Sequence, residues 1–165
     1  PNLSFIMPAA IEACHAQLLQ LLVARPGLPV TLVHGRSREA MAAADAVLLA
    51  SGTATLEALL LKRPMVMAYR MAALSWAIVS RLVTTEFGAL PNILAGRRLV
   101  PELLQRAATP EAMAAALEPL LDDTAQQQVL LREFDLIHTQ LRLGSSERTA
   151  RALANLMTAS APRTM

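Results

Sequence analysis

The chain has 165 residues and a mass of 17.7 kDa, enough for one domain with a buried core. Apolar residues make up 54%, charged residues 17% and aromatics 3%, which excludes a disordered chain and argues against a base-stacking platform for nucleic acid. Cys14 is the single cysteine, so a disulfide framework and a cysteine-based zinc site are out, and Arg70 and Arg81 interrupt the most apolar stretch before it reaches the ~18 residues of a membrane span. The net charge of +2 is unevenly spread. Residues 62–106 hold seven basic side chains (Lys62, Arg63, Arg70, Arg81, Arg97, Arg98, Arg106) against Glu86 and Glu102 alone. That asymmetry points to an anionic ligand or surface, or else to a solvated arginine face.

In chain order, residues 3–7 read as a strand closed by Pro8, and residues 9–25 as a helix stopped by Pro26-Gly27. Cys14 within it reads as a small buried hydrophobe. Residues 29–33 are a second strand, residues 39–44 a short helix and residues 46–50 a third strand. Ser51-Gly52-Thr53 turns the chain into a helix over 54–61, and residues 64–69 form a fourth strand. Residues 74–83 form a helix that is apolar nearly all round. Thr109-Pro110 is a capped helix start, followed by helices over 129–143 and 147–157. Short continuous apolar strands alternating with helices predict an α/β fold, a parallel sheet with helices on both faces, followed by C-terminal helices. The division is an α/β domain over 1–108, a helical segment over 109–158 and a frayed tail over 159–165. A strand that starts at once without an initiator Met points to a fragment, and no signal peptide is visible.

In such a fold, ligands sit beyond the carboxyl ends of the strands. The turn after the third strand is the main candidate. Gly52 allows close backbone approach, Ser51 and Thr53 add hydroxyls beside free helix amides, and the set suits a phosphate. Glu57, one turn on, either accepts ribose hydroxyls or merely favours the helix dipole. No metal-binding Asp-X-Asp motif occurs, and no cofactor is expected. His15 and His138 lack partners at ligand spacing.

The run Ser51-Gly52-Thr53-Ala54-Thr55-Leu56-Glu57 resembles the donor-nucleotide segment of two-domain, GT-B type glycosyltransferases. With Pro64-Met65-Val66-Met67-Ala68-Tyr69-Arg70-Met71, Leu90-Pro91-Asn92-Ile93-Leu94-Ala95-Gly96-Arg97, Val100-Pro101-Glu102-Leu103-Leu104-Gln105 and Ala108-Thr109-Pro110, the chain resembles the lipid-A-disaccharide synthase family over most of its length. The resemblance implies a Rossmann-like GT-B donor domain, incomplete at its N-terminus. It implies an inverting transfer of 2,3-diacylglucosamine from UDP to 2,3-diacylglucosamine 1-phosphate, at the cytoplasmic face of the inner membrane. Ser51, Gly52 and Thr53 would line the UDP diphosphate and Glu57 the ribose. Gly35 and Arg36, in a turn that departs from the family's pattern, would border the base. Asn92, Gly96 and Arg97 would contact diphosphate or sugar, and Glu102 and Gln105 the donor sugar, with Glu102 otherwise an ordinary first-turn helix acid. The catalytic residues would lie in an N-terminal acceptor domain not represented here, leaving the chain inactive alone. Arg70, Leu74, Trp76, Ile78 and Arg81 suit a headgroup boundary, a buried helix or a homodimer contact. The rivals are a muramyl-peptide N-acetylglucosaminyltransferase, a UDP-N-acetylglucosamine 2-epimerase, or a non-catalytic nucleotide-binding module.

Overall fold

The computed structural model describes residues 3–50, 52–82, 85–122, 125–142 and 144–159. Strand β1 (Phe5–Ala9) pairs in parallel with β2 (Val30–His34), and helix α1 (Glu12–Val23) makes the crossover. β1 runs through Pro8 instead of ending there. The reason is direction. The Phe5 N–H donates to Pro29 O at 2.8 Å, and Ala9 O accepts from the Gly35 N–H at 2.7 Å. Alternation then turns the backbone groups of Ile6 and Pro8 to the opposite edge, where a missing N–H breaks no ladder bond. α1 buries no residue fully, and Cys14 is exposed, contrary to the buried position expected for it.

Helix α2 (Ser37–Ala43) leads to β3 (Val47–Leu49), α3 (Gly52–Leu60), β4 (Met65–Tyr69) and α4 (Ala73–Leu82). Helix α5 (Leu90–Ala95) and strand β5 (Glu102–Leu104) follow. Each of these two is too short for a sequence period to show. The three strands form a parallel sheet in the order β3-β4-β5, with Met67 opposite both Leu49 and Glu102. Met65, Val66 and Met67 are all buried. Successive residues of a strand face opposite sides, so both faces of β4 must be covered. Met65 and Met67 join Ala58, Leu59, Ala89, Val100, Phe134 and Ile137 in the core cluster. Val66 turns to the other side, where α6 (Pro110–Leu117) packs on β3 and β4.

Among the described residues the strands therefore form two parallel sheets, β1-β2 and β3-β4-β5. β1 and β3 each keep one unpaired edge.

Thr109 caps α6, its Oγ1 accepting from the Ala112 N–H at 3.2 Å. Beyond α6 come α7 (Ala125–Leu141) and α8 (Ser145–Ala159). α7 begins four residues before the expected start and drives Phe134 and Ile137 into the core beside α3. Lys62 anchors it. Just past α3, Lys62 takes a left-handed φ of 59°, and its Nζ donates to Phe134 O at 2.9 Å and pairs with Asp135 at 3.0 Å. No described helix is long and apolar enough to cross a membrane.

Candidate functional site

The third strand ends at Leu49, and α3 begins at Gly52, two residues earlier than the expected helix. Ser51 lies outside the described residues. Gly52 and Thr53 are thus in the first turn of α3, whose amide N–H groups have no intrahelical acceptor and carry the positive end of the helix dipole. Glu57 is exposed on the same helix, one turn on, with no ion pair among the described residues.

Gly52 is required by a neighbour. A Cβ placed on it would lie 3.0 Å from the carbonyl oxygen of Gly88. A Cβ on Gly88 would lie 3.2 Å from Met67 Cε, the end of a flexible side chain that can give way. Two backbone segments thus pass almost in contact at the carboxyl edge of the sheet. Thr55, fully buried, stitches them. Its hydroxyl donates to Gly52 O and accepts from the Leu90 N–H at 3.1 Å.

Glu102 and Asn92 complete the arrangement. Glu102 opens β5, so it is no first-turn helix acid. Its Oε2 accepts from the Gly88 N–H at 3.0 Å, and its Oε1 accepts from the Ala89 N–H at 2.9 Å and from Asn92 Nδ2 at 2.7 Å. Asn92 is completely buried at the start of α5. Its Nδ2 also donates to Val100 O at 3.0 Å, and its Oδ1 accepts from the N–H groups of Leu99 and Val100 at 2.7 and 2.9 Å. Every hydrogen-bonding position of this amide is met by protein. The carboxylate and the amide together hold residues 88–92 against the start of α3.

Other candidates fall elsewhere. Gly96 ends α5 with φ 63°, the left-handed stop that favours glycine. Arg97, just beyond, pairs with Glu133 of α7 at 2.9 Å. Both lie at the C-terminal end of α5. Gly35 and Arg36 form the turn after β2, with successive left-handed φ values of 62° and 55°. For Arg36 that conformation costs about 1 kcal/mol. Its guanidinium lies 3.7 Å from Glu39. It borders a hollow of about 170 Å³ with Ile6 and Val33, and α2, which follows the turn, packs on α3. Gln105 is at the far end of β5 with Arg70 and Trp76, beside a larger cleft. Leu74, Ile78 and Arg81 form an exposed stripe on α4 at i, i+4 and i+7. Among the described residues there is no cluster of three or more His, Cys, Asp or Glu able to hold a metal ion.

The sequence by itself does not mark Thr55, Gly88 and Lys62 for these structural roles. Thr55 lay inside the Ser51–Glu57 run, but only the fold shows that its hydroxyl reaches Leu90.

A family model described as lipid-A-disaccharide synthetase matches residues 1–155. A lipid-A-disaccharide synthase of Saccharophagus degradans is 53% identical over 159 residues, covering 96% of this chain and 41% of the relative. One from Pseudomonas aeruginosa is 55% identical over 157 residues, covering 95% and 41%. One from Alcanivorax borkumensis is 51% identical over 159 residues, covering 96% and 42%. The chain spans about two fifths of the length of these curated relatives. With the match extending over nearly the whole chain, it belongs to the lipid-A-disaccharide synthetase family.

Proposed function

We propose that this chain is the UDP-sugar-binding part of a glycosyltransferase that moves 2,3-diacylglucosamine from UDP to 2,3-diacylglucosamine 1-phosphate. The observation that carries the reading is the start of α3, where free amides, the Gly52–Gly88 contact and the exposed Glu57 lie together at the carboxyl edge of a parallel sheet. Diphosphate oxygens accept hydrogen bonds from the first-turn amides, and Glu57 accepts from the ribose hydroxyls. Ser51 and Thr53 border the same diphosphate.

As the glycosidic bond to UDP breaks, negative charge grows on the leaving diphosphate. Fixed amides and the helix dipole stabilise that charge without reorganising. Asn92 and Glu102 act one layer back, holding residues 88–92 so that the start of α3 keeps its shape. Arg97 meets the leaving phosphate only on exchanging its pairing with Glu133. Gly35 and Arg36 border the base. Inversion at the sugar carbon needs a base on the opposite face, which the remainder of the polypeptide supplies together with the acceptor site. The chain alone is then inactive. The protein works in the cytoplasm at the inner membrane, with α4 turned to the lipid surface.

Calorimetric titration with UDP tests the donor site. Saturable binding that Glu57→Ala weakens about tenfold, with unchanged folding, supports it. Absence of UDP binding to both this chain and a full-length protein containing it overturns it.

A further inference from the structure

Thr55 and Asn92 are the fully buried polar side chains among the described residues. Asn92 directs its amide to residues 99, 100 and 102. Thr55 instead joins two helices. A hydroxyl has one donor hydrogen and two acceptor lone pairs. Thr55 commits its hydrogen to Gly52 O in the first turn of α3, so toward Leu90 it can only accept, and it accepts from the Leu90 N–H at 3.1 Å. Glu102 accepts from Gly88 and Ala89, so three successive amides of residues 88–90 are held by side chains. The start of α5 is thereby satisfied within the protein, since Pro91 has no N–H and the Asn92 N–H donates to Ala89 O at 3.1 Å.

The start of α3 is in the opposite state. Among the described residues, nothing accepts from the N–H groups of Gly52, Thr53 or Ala54. A competitor for them lies close by. Gly88 O is 3.0 Å from the position a Cβ on Gly52 would take. If residues 88–90 were released, this carbonyl could turn to accept from the free amides and cap α3 itself. An incoming diphosphate would then have to displace it. Glu102 holds the segment from the side of β5, and among the described hydrogen bonds Thr55 alone ties it to α3.

We infer that Thr55 is a positioning residue of the donor site. Its hydroxyl fixes residues 88–90 against the first turn of α3, keeps Gly88 O off the free amides and leaves those amides open to a diphosphate. The inference rests on the reading of the start of α3 as the diphosphate seat, and adds to it a side chain too deeply buried to touch the ligand.

The test uses a full-length protein containing this chain. Thr55→Val keeps the shape of the side chain and removes the hydroxyl, whereas Thr55→Ser keeps the hydroxyl. UDP and uridine are titrated as inhibitors competing with the UDP-sugar. Thr55→Val is expected to weaken UDP inhibition about tenfold and to leave inhibition by uridine, which has no diphosphate, unchanged. The KM for the UDP-sugar rises and the KM for the acceptor does not. Thr55→Ser is expected to restore most of the parent's affinity for UDP. A purely structural role would lower the melting midpoint and the fraction of active protein while the UDP constant stays that of the parent, and that result overturns the inference. Equal weakening of UDP and uridine overturns it too, because the whole site has then loosened. A Thr55→Ser variant as poor as Thr55→Val assigns the effect to packing of the methyl group and is equally fatal. Should Thr55→Val not fold, Thr55→Ala is read in the same way. If Glu57→Ala weakens UDP binding while Thr55→Val binds UDP like the parent, the donor site stands and the positioning role is refuted. If the parent does not bind UDP, the donor reading falls and this inference with it.

Discussion

At Asn92 the amide oxygen takes two backbone N–H groups, and the amide nitrogen reaches both Val100 O and Glu102. Deleting it in Asn92→Ala strands buried groups on both sides of the loop. A loss of about 3 kcal/mol in urea unfolding is expected, with weaker UDP binding as a secondary effect of a loosened loop. Glu57 is the opposite case. It is exposed and unpaired among the described residues, so Glu57→Ala is expected to leave stability within ~0.5 kcal/mol while UDP affinity falls. Burial separates the two, since Asn92 is enclosed by protein partners and Glu57 is open to solvent. Glu102 extends the lesson. Its carboxylate faces three donors from residues 88–92, which only a strand start aligned with Met67 makes reachable.

Among elements, the start of α3 depends on how near residue 88 can come. In Gly52→Ala the added methyl meets a backbone carbonyl at 3.0 Å, and a carbonyl has no rotamer by which to withdraw. Destabilisation of about 1–3 kcal/mol is expected, with reduced UDP affinity, read by thermal unfolding and calorimetry. α6 is an ordinary capped helix by comparison. Thr109→Ala removes one cap bond and is expected to cost about 1 kcal/mol without affecting UDP. α7 is tied to α3 through Lys62 and the fully buried Phe134. Phe134→Ala opens a cavity beneath the site and is expected to cost about 3–5 kcal/mol in urea unfolding.

For the whole molecule, the two sheets are unequally protected. β4 is covered on both faces, whereas Phe5, Ile6 and Met7 of β1 remain exposed. Both β1 and β3 offer an unpaired edge, and the chain spans about two fifths of its relatives. An extended segment from the rest of the polypeptide is expected to pair there. The amides of Ile6 and Leu48 point to those edges by alternation from Phe5 and Val47. Hydrogen exchange at Ile6 and Leu48 should therefore slow in a full-length protein relative to this chain. Equal exchange in both would mean that the edges stay open.

The sequence alone determined the class of the fold, because continuous apolar strands such as residues 65–67 must be buried on both sides, and only helices covering a parallel sheet do that. It also determined the family, because a long combination of motifs such as residues 51–57 and 90–97 is hard to match by chance, and the family match over residues 1–155 agrees. Short elements escaped it. α5 and β5 have six and three residues, too few for a period to show. Tertiary structure alone decided what each motif residue meets within the protein, where Asn92 meets Val100, Gly52 meets Gly88 and Arg97 meets Glu133. Such pairings depend on which segments the fold brings within hydrogen-bonding distance, a property that composition and spacing do not contain. The same holds for Gln105, whose amide oxygen accepts from the Met71 N–H while its Nε2 has no partner among the described residues.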